Sequence, residues 1–148
     1  MTWYELDHAR LVLEHLRVLR RYPQFVLQRG KNSDLFWIGE LSLVVGPITP
    51  DPMILRVEYP ESFPAEFPKV HVTKPELSSE EVGHKWHRWP IGGTVCYVKP
   101  KEWQVGTTAD EIIAKVEDWY FNYVAYKNDL IASMPELGRA SLAWTPDK

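Results

Sequence analysis

Three regularly spaced prolines interrupt the middle of this 148-residue chain, and they restrict its fold more than any other feature. They are Pro60, Pro64 and Pro68, and an aromatic residue stands directly before each of them. Each proline fixes its own φ and pushes the preceding residue toward extended backbone, so the segment cannot be a helix and fits poorly inside a sheet. We therefore predict a stiff crossing, held by its aromatic side chains, that leads into a short strand at residues 69–73.

Before the crossing, alternation of apolar and polar residues predicts three strands. The first covers residues 24–28, and a polar, turn-rich loop separates it from the second. In the second strand, residues 35–45, every second side chain is apolar or glycine, while Glu40 and Ser42 face the other way. The third has its inward residues at Met53, Leu55, Val57 and Tyr59. With the strand after the crossing, these form a four-stranded antiparallel meander with one solvated face.

A helix is predicted over residues 2–21. Thr2 and Glu5 have the spacing of a capping box, although Asp7 is an alternative start. The apolar stripe consists of Leu6, Ala9, Leu13, Leu16 and Arg20, widened by Val12 and Leu19. The second half has a basic face made of Arg10, Arg17, Arg20 and Arg21. This face either complements the helix dipole and aids solubility, or binds an acidic partner.

A second helix is predicted after Thr108, which forms another capping box with Glu111. Its face toward the sheet consists of Ile112, Val116, Trp119, Tyr120, Tyr123 and Lys127. Residues 128–148 are expected to form a tail or a last short helix. The predicted fold class is therefore α+β.

Length and composition indicate a single domain, 1–148, with a core over about residues 2–127. The net charge is −3 with both signs mixed, so the chain lacks the basic stripe typical of nucleic-acid-binding proteins. One cysteine excludes an internal disulfide and fits a reducing compartment. Since the sequence has neither a signal-peptide pattern nor a long apolar run, we expect a cytoplasmic protein with no membrane partner.

The single cysteine, Cys96, lies in a long irregular stretch between the last strand and the second helix. His84 and His87 precede it, Gly92 and Gly93 lie just before it, and a tryptophan follows seven residues later. A loop this long in a small domain is more often functional than idle. By itself a lone cysteine is usually a small buried apolar residue, so its interpretation depends on its surroundings.

The order of these elements resembles the ubiquitin-conjugating enzyme (UBC) superfamily. The similarity is carried by the aromatic–proline crossing at 59–70, by the sequence Gly93-Thr94-Val95-Cys96-Tyr97 and by Trp103 before a Thr-initiated helix. The pattern looks like the bacterial members found in CBASS and related ubiquitin-like anti-phage defence operons. The family's His-Pro-Asn triplet is replaced, because Arg88, Trp89 and Pro90 follow His87.

The resemblance implies that Cys96 accepts a carboxyl terminus as a thioester and passes it to an amine. The implied partners are a ubiquitin-activating-like enzyme and either a ubiquitin-like protein or the C-terminus of a cGAS-like nucleotidyltransferase. No cofactor is implied.

Around Cys96, several residues are candidates for parts of this chemistry. The two glycines allow an acyl-carrying tail to approach the backbone, and Thr94 or nearby amides are candidate donors to the oxyanion. His87 or His84 is a candidate base or a replacement for the missing asparagine. We expect Trp103 to support the loop by packing. Two further tryptophans, expected to be pocket walls or a partner surface, are Trp86 and Trp89.

Three alternatives stay open. His84, His87 and Cys96 are three potential zinc ligands, but no fourth ligand stands nearby in the sequence and the zinc-deaminase pattern is absent. A Cys–His protease would need a substrate cleft that the sequence does not indicate. The chain could also be a catalytically idle member of the same fold that binds a partner protein non-covalently.

Overall fold

The computed structural model describes residues 1–142, so residues 143–148 of the predicted tail lie outside the described residues. In chain order the elements are α1 (Trp3–Leu6), α2 (His8–Arg21), β1 (Val26–Arg29), β2 (Leu35–Leu41), β3 (Met53–Glu58), β4 (Lys69–Lys74), two 3₁₀ turns (His84–Trp86 and Pro100–Glu102) and α3 (Ala109–Lys127). None of the helices in this described part is both long and apolar enough to cross a membrane.

The predicted meander is confirmed. The four strands lie in the order β1-β2-β3-β4, and each pairs antiparallel with its neighbour. Trp37, Val57 and Val70 are register partners across three strands, and all three are fully buried. β2 ends at Leu41, earlier than predicted, because the chain then turns and Val45 pairs only with Ile48.

The N-terminal helix is broken in two, and both predicted start signals are used. Thr2 and Glu5 form the capping box of α1, and the Asp7 side chain then caps α2 by accepting a hydrogen bond from the Arg10 N–H at 3.0 Å. The prediction of a single helix over 2–21 is therefore wrong. An aspartate that offers its carboxylate to the following amides favours this interruption.

The predicted apolar stripe of this helix is also wrong. Leu13 and Leu16 are 44% and 63% exposed, whereas Glu14 and Val18 are buried. Counting apolar residues selected the wrong face because the buried face contains a charged residue with hydrogen-bond partners in the protein interior. The exposed apolar side chains of the N-terminal helices are Leu6, Val12, Leu13 and Leu16.

α3 follows the prediction closely. Thr108 and Glu111 form its capping box, and Ile112, Val116 and Tyr120 are buried in the same core as the inward side chains of the sheet. Beyond α3, residues 128–142 contain no helix. This segment is nevertheless attached to α3, because the buried Asn122 side chain donates to the Gly138 carbonyl and accepts from the Ala140 N–H.

The proline crossing is held by its aromatic side chains, as predicted. The rings of Tyr59 and Phe63 pack against Trp3 with centroids 5.0 and 4.7 Å apart. The Trp37 indole N–H donates to the Tyr59 hydroxyl at 2.9 Å, which joins the crossing to the sheet.

Candidate functional site

The loop that carries Cys96 folds back on itself and is attached to the sheet. The Cys96 N–H donates to the His87 carbonyl at 2.8 Å, and Arg88 forms a β-bridge with Val95. The Val95 N–H in turn donates to the Val70 carbonyl of β4 at 3.1 Å. The cysteine therefore stands on a short arm fixed against the last strand.

Arg88 holds this arm from inside. Its side chain is 7% exposed, and its guanidinium donates to the carbonyls of Gly93 at 2.8 Å, Ser78 at 3.1 Å and Glu81 at 2.6 Å. Gly93 has a φ of +67°, and a Cβ there would lie 2.7 Å from the guanidinium. Sequence analysis missed this role, because an arginine in an irregular loop gives no sign of being buried.

Cys96 lies half-buried in the wall of a cavity of about 580 Å³. Burial raises the pKa of its thiol to about 11. Only a small fraction is therefore thiolate at neutral pH, less than for an ordinary cysteine. Other ionisable groups in the same wall are His84, His87, Arg88, Tyr97, Lys99, Glu102, Lys115 and Glu136.

Both histidines lie on this cavity and close to each other. They flank the 3₁₀ turn His84–Trp86, and their rings stack with centroids 5.4 Å apart. Desolvation lowers the pKa of His87, so its imidazole is mainly uncharged at neutral pH. Glu136, from the segment after α3, has its Oε1 3.3 Å from Nε2 of His84.

Two of the three zinc ligands suggested by the sequence, His84 and His87, lie together in the structure, but the third residue of the group is Glu136. Ligand atoms of His84, His87 and Glu136 all lie within 4.8 Å of one another, and Cys96 is not in this group. Glu136 is 49 positions after His87 in the chain. No local spacing could have indicated it.

Trp103 contacts the proline crossing. Its indole N–H donates to the Pro64 carbonyl at 2.8 Å, and its ring packs near Phe67. Tyr97, directly after the cysteine, donates its hydroxyl hydrogen bond to the Pro68 carbonyl. Both residues thus connect the cysteine loop to the crossing, an arrangement suited to the loop support expected of Trp103.

Thr94 lies on a second cavity, of about 470 Å³, and not on the wall of the cysteine cavity. Trp89 contributes to both cavities and stands between them. The oxyanion role of Thr94 stays a prediction. The backbone amides next to Cys96 are the other donors that the sequence suggested.

Trp86 packs inward onto α3. Its carbonyl accepts from the Trp119 indole N–H at 2.9 Å, and its ring lies 4.9 Å from that of Tyr126. Of the two expectations for this residue, pocket wall or partner surface, the geometry makes it an anchor of the loop instead.

The four arginines of α2 differ in their surroundings. Arg10 donates to the carbonyls of Val105 at 2.6 Å and Thr107 at 2.9 Å, so its guanidinium is engaged within the domain. Arg17 forms an ion pair with Asp110 at 3.4 Å and remains about half-exposed. Arg20 and Arg21 are also exposed, and the Arg21 guanidinium lies over the Tyr22 ring, 5.5 Å from its centroid.

Glu14 is a second buried charged residue that sequence analysis missed. Its carboxylate accepts from the Tyr59 hydroxyl at 2.7 Å and from the Ala109 N–H at 3.0 Å, and it pairs with Arg10 at 3.3 Å. Desolvation raises its pKa despite these partners. Glu14 thereby joins α2, the crossing and the first turn of α3.

Comparison with known proteins supports the fold. No protein-family model matches the sequence, and no curated protein matches it significantly. Among solved structures, the chain is similar to the yeast vps23 UEV domain in complex with a vps27 PSDP peptide, with a TM-score of 0.53 at 10% identity. The match covers 90% of this chain and 86% of that one. The chain has an α+β, UBC-like fold.

Proposed function

We propose that the protein is a ubiquitin-conjugating-like transferase that carries an acyl group as a thioester on Cys96 and passes it to an amine. One observation carries the proposal. The only cysteine of a UBC-like chain lies in the wall of an open cavity, on a loop that a buried arginine fixes. A cysteine that served only for packing would need neither the cavity nor the fixed arm.

The reaction proceeds in two substitutions at one carbonyl carbon. The Cys96 sulfur attacks the activated C-terminus, a C–S bond forms, and AMP or the thiol of an activating enzyme leaves. An acceptor amine then attacks the thioester, an amide forms, and the Cys96 thiolate leaves and takes up a proton. Neither step changes an oxidation state, so no redox cofactor is required.

The raised pKa of Cys96 fits a carrier better than an attacking group. A thiol of high pKa is a poor leaving group, so a thioester formed on it resists hydrolysis, and its aminolysis requires an acceptor amine that is held close to the thioester. The same shift makes the first step slow unless the incoming acyl group is already activated, which is the task of a ubiquitin-activating-like enzyme.

Residues around the cysteine have distinct roles in this proposal. Gly92, where a Cβ would meet nothing within 4 Å, leaves room for the extended tail of the acyl donor, whereas Gly93 makes room for the Arg88 guanidinium. His87 positions the thiol through its carbonyl, and its uncharged imidazole on the cavity is the candidate acceptor for the amine proton. Trp103 keeps the loop on the crossing.

The proposed partners are a ubiquitin-activating-like enzyme and, as acyl donor, a ubiquitin-like protein or a cGAS-like nucleotidyltransferase C-terminus, within a cytoplasmic anti-phage system. For the activating enzyme, the best surface is the outer face of α2. It combines Leu13 and Leu16 with Arg17, Arg20 and Arg21, which suits an acidic partner with an apolar centre.

A transfer assay with a small donor tests the chemistry without the natural partners. We expect a synthetic peptide thioester ending in Gly-Gly to acylate the wild-type protein once, as measured by intact mass, and thiol treatment to reverse the mass gain. Cys96→Ala should gain no mass. Failure of the folded protein to react, under conditions that acylate the urea-unfolded chain, would contradict an accessible carrier thiol.

The second candidate function is an idle binding module of the same fold. It is favoured by the solved UEV domain, which is in complex with a peptide, and by the second cavity, whose wall includes Phe67, Pro68 and Ile91. This alternative predicts a complex with a partner that forms equally with Cys96→Ala and leaves no covalent adduct in either protein.

A further inference from the structure

We propose that His84, His87 and Glu136 bind one divalent metal ion of the zinc type at the rim of the cysteine cavity. Two imidazoles and one carboxylate form the ligand set of many zinc sites that keep a fourth position open. The inference does not depend on the proposed transferase activity, since it rests on three side chains outside the nucleophile.

The two histidines are aligned by the local backbone. A 3₁₀ turn has three residues per turn, so side chains at positions i and i+3 lie one above the other. His84 opens the turn and His87 follows its last residue with a left-handed φ of +51°. Such a conformation is uncommon for a residue other than glycine and persists where surrounding contacts enforce it.

Those contacts are present on both sides of the turn. Gly83 and Arg88 exchange backbone hydrogen bonds of 2.7 and 3.3 Å, which closes the segment into a ring. Between the histidines, the Trp86 carbonyl is bound by the Trp119 indole N–H on α3. The imidazoles therefore project from a fixed support.

Glu136 is held from the opposite side. Before it, Met134 is buried in the core, and after it the Gly138 carbonyl is bound by the buried Asn122 side chain. A glutamate in an unattached tail would rarely stay near two histidines. Here the core, through Met134, and α3, through Asn122, keep it beside them.

The distances between the ligand atoms suit a bound metal ion after small rotations of the side chains. Ligand atoms in a tetrahedral zinc site lie about 3.4 Å apart, given metal–ligand bonds of about 2.0–2.2 Å. The pair His84–Glu136 is already at 3.3 Å, and the three atoms lie within 4.8 Å of one another. Since the His84 and Glu136 side chains are 84% and 58% exposed, both can rotate at little cost.

A metal ion bound at this site would also affect the proposed transfer reaction. The three side chains line the same cavity as Cys96. The ion would occupy an imidazole nitrogen of His87, so the bound ion and the use of that nitrogen as a proton acceptor exclude each other. In the proposed transferase, on which this consequence rests, bound zinc would slow aminolysis; in any case it would tie the segment after α3 to the cysteine loop.

Zinc titration against a chromophoric chelator tests the site, with zinc alone as the probe. We expect the wild-type protein to bind one ion, and His84→Ala, His87→Asn and Glu136→Gln to weaken binding at least about tenfold. Asparagine tolerates the left-handed conformation at position 87, so that variant should keep its fold. His71→Gln is the matched control, because His71 also lies 3.4 Å from a glutamate, Glu58, on another face.

The outcomes separate the metal site from the nucleophile. Binding that Cys96→Ser retains and His84→Ala loses supports the proposal. Three results would overturn it. The wild-type protein does not bind zinc, or His84→Ala and Glu136→Gln both bind zinc within twofold of the wild type, or only Cys96→Ser abolishes binding. Each result is obtained without any measurement of transfer activity.

Discussion

At the scale of single residues, Cys96 combines access to a cavity with a pKa raised to about 11 by burial. These properties act in opposite directions on its reactivity. Access allows attack, while the raised pKa limits the thiolate at neutral pH. The balance fits a residue that waits for an activated acyl group instead of reacting with any electrophile.

The pH dependence of alkylation follows from this shift. Because only the thiolate reacts, the rate of iodoacetamide modification should rise with pH and reach half its limit near pH 11 in the folded protein. In urea the midpoint should fall to about 8.5, the value for an exposed cysteine. Mass spectrometry gives the rate directly, since the chain has one cysteine. A folded-state midpoint at or below that of the unfolded chain would contradict the burial.

Arg88 is the residue on which the geometry of the cysteine arm depends most. Lysine at this position keeps the charge but cannot reach three carbonyls at once. We expect Arg88→Lys to lower the free energy of unfolding by about 1–3 kcal/mol, since buried acceptors lose their donor. Amide hydrogen exchange at Gly93 and Cys96 should become faster.

Arg139→Lys is the matched control for that variant. Arg139 pairs with Asp118 on the surface, where both side chains are well exposed. The change should alter stability by less than about 0.5 kcal/mol. Equal effects of the two substitutions would show that Arg88 has no special role in the loop.

At the scale of elements, Glu14 is the junction of α2, the crossing and α3. Glu14→Ala would leave Arg10 without its carboxylate and the Tyr59 hydroxyl and Ala109 N–H without an acceptor. We expect a loss of about 3 kcal/mol or more, measured by urea unfolding. Arg139→Ala, which breaks the exposed pair with Asp118, should cost less than about 1 kcal/mol. Similar losses in the free energy of unfolding for the two variants would contradict the role of Glu14 as a junction.

The elements themselves were largely predictable from the sequence, for identifiable reasons. Alternation located β3 and the proline spacing located the crossing, because both signals are local. The cap at Thr108 marked the start of α3 correctly. The inward face of α2 was mistaken because its central buried residue, Glu14, is charged and is satisfied only by residues distant in the chain.

The same distinction, between local signals and contacts distant in the chain, explains which residues of the site could be predicted. Cys96 and Trp103 could be selected from local sequence, since the loop and its flanking residues are contiguous. The role of Arg88 could not be predicted, because its three carbonyl acceptors come together around the guanidinium only after the loop has folded. The place of Glu136 beside the site could not be predicted either, because His84 and His87 come before α3 in the chain and Glu136 comes after it.

At the scale of the whole molecule, the exposed apolar residues of α2 remain to be explained. Leu13 and Leu16 lie exposed on one face of α2, and with three nearby arginines they form the proposed docking face. Their exposure also explains why the apolar stripe misled the choice of the buried face.

Leu16→Glu tests this face. Since Leu16 is 63% exposed, the change should alter stability by less than about 0.5 kcal/mol while lowering the rate of Cys96 loading by an activating enzyme at least about tenfold. Val26→Glu is the control, because Val26 is 53% exposed on β1. Loading that is equally fast in both variants and the wild type would exclude α2 as the docking face.

The central claim is that Cys96 carries an acyl group. Its most direct test is the intact mass of the protein purified under denaturing conditions from cells that also express the proteins encoded beside it. We predict a covalent adduct that survives denaturation, is cleaved by thiol and is absent in Cys96→Ala. An adduct that persists in Cys96→Ala, or a tight complex with no adduct on the wild-type protein, would contradict the account.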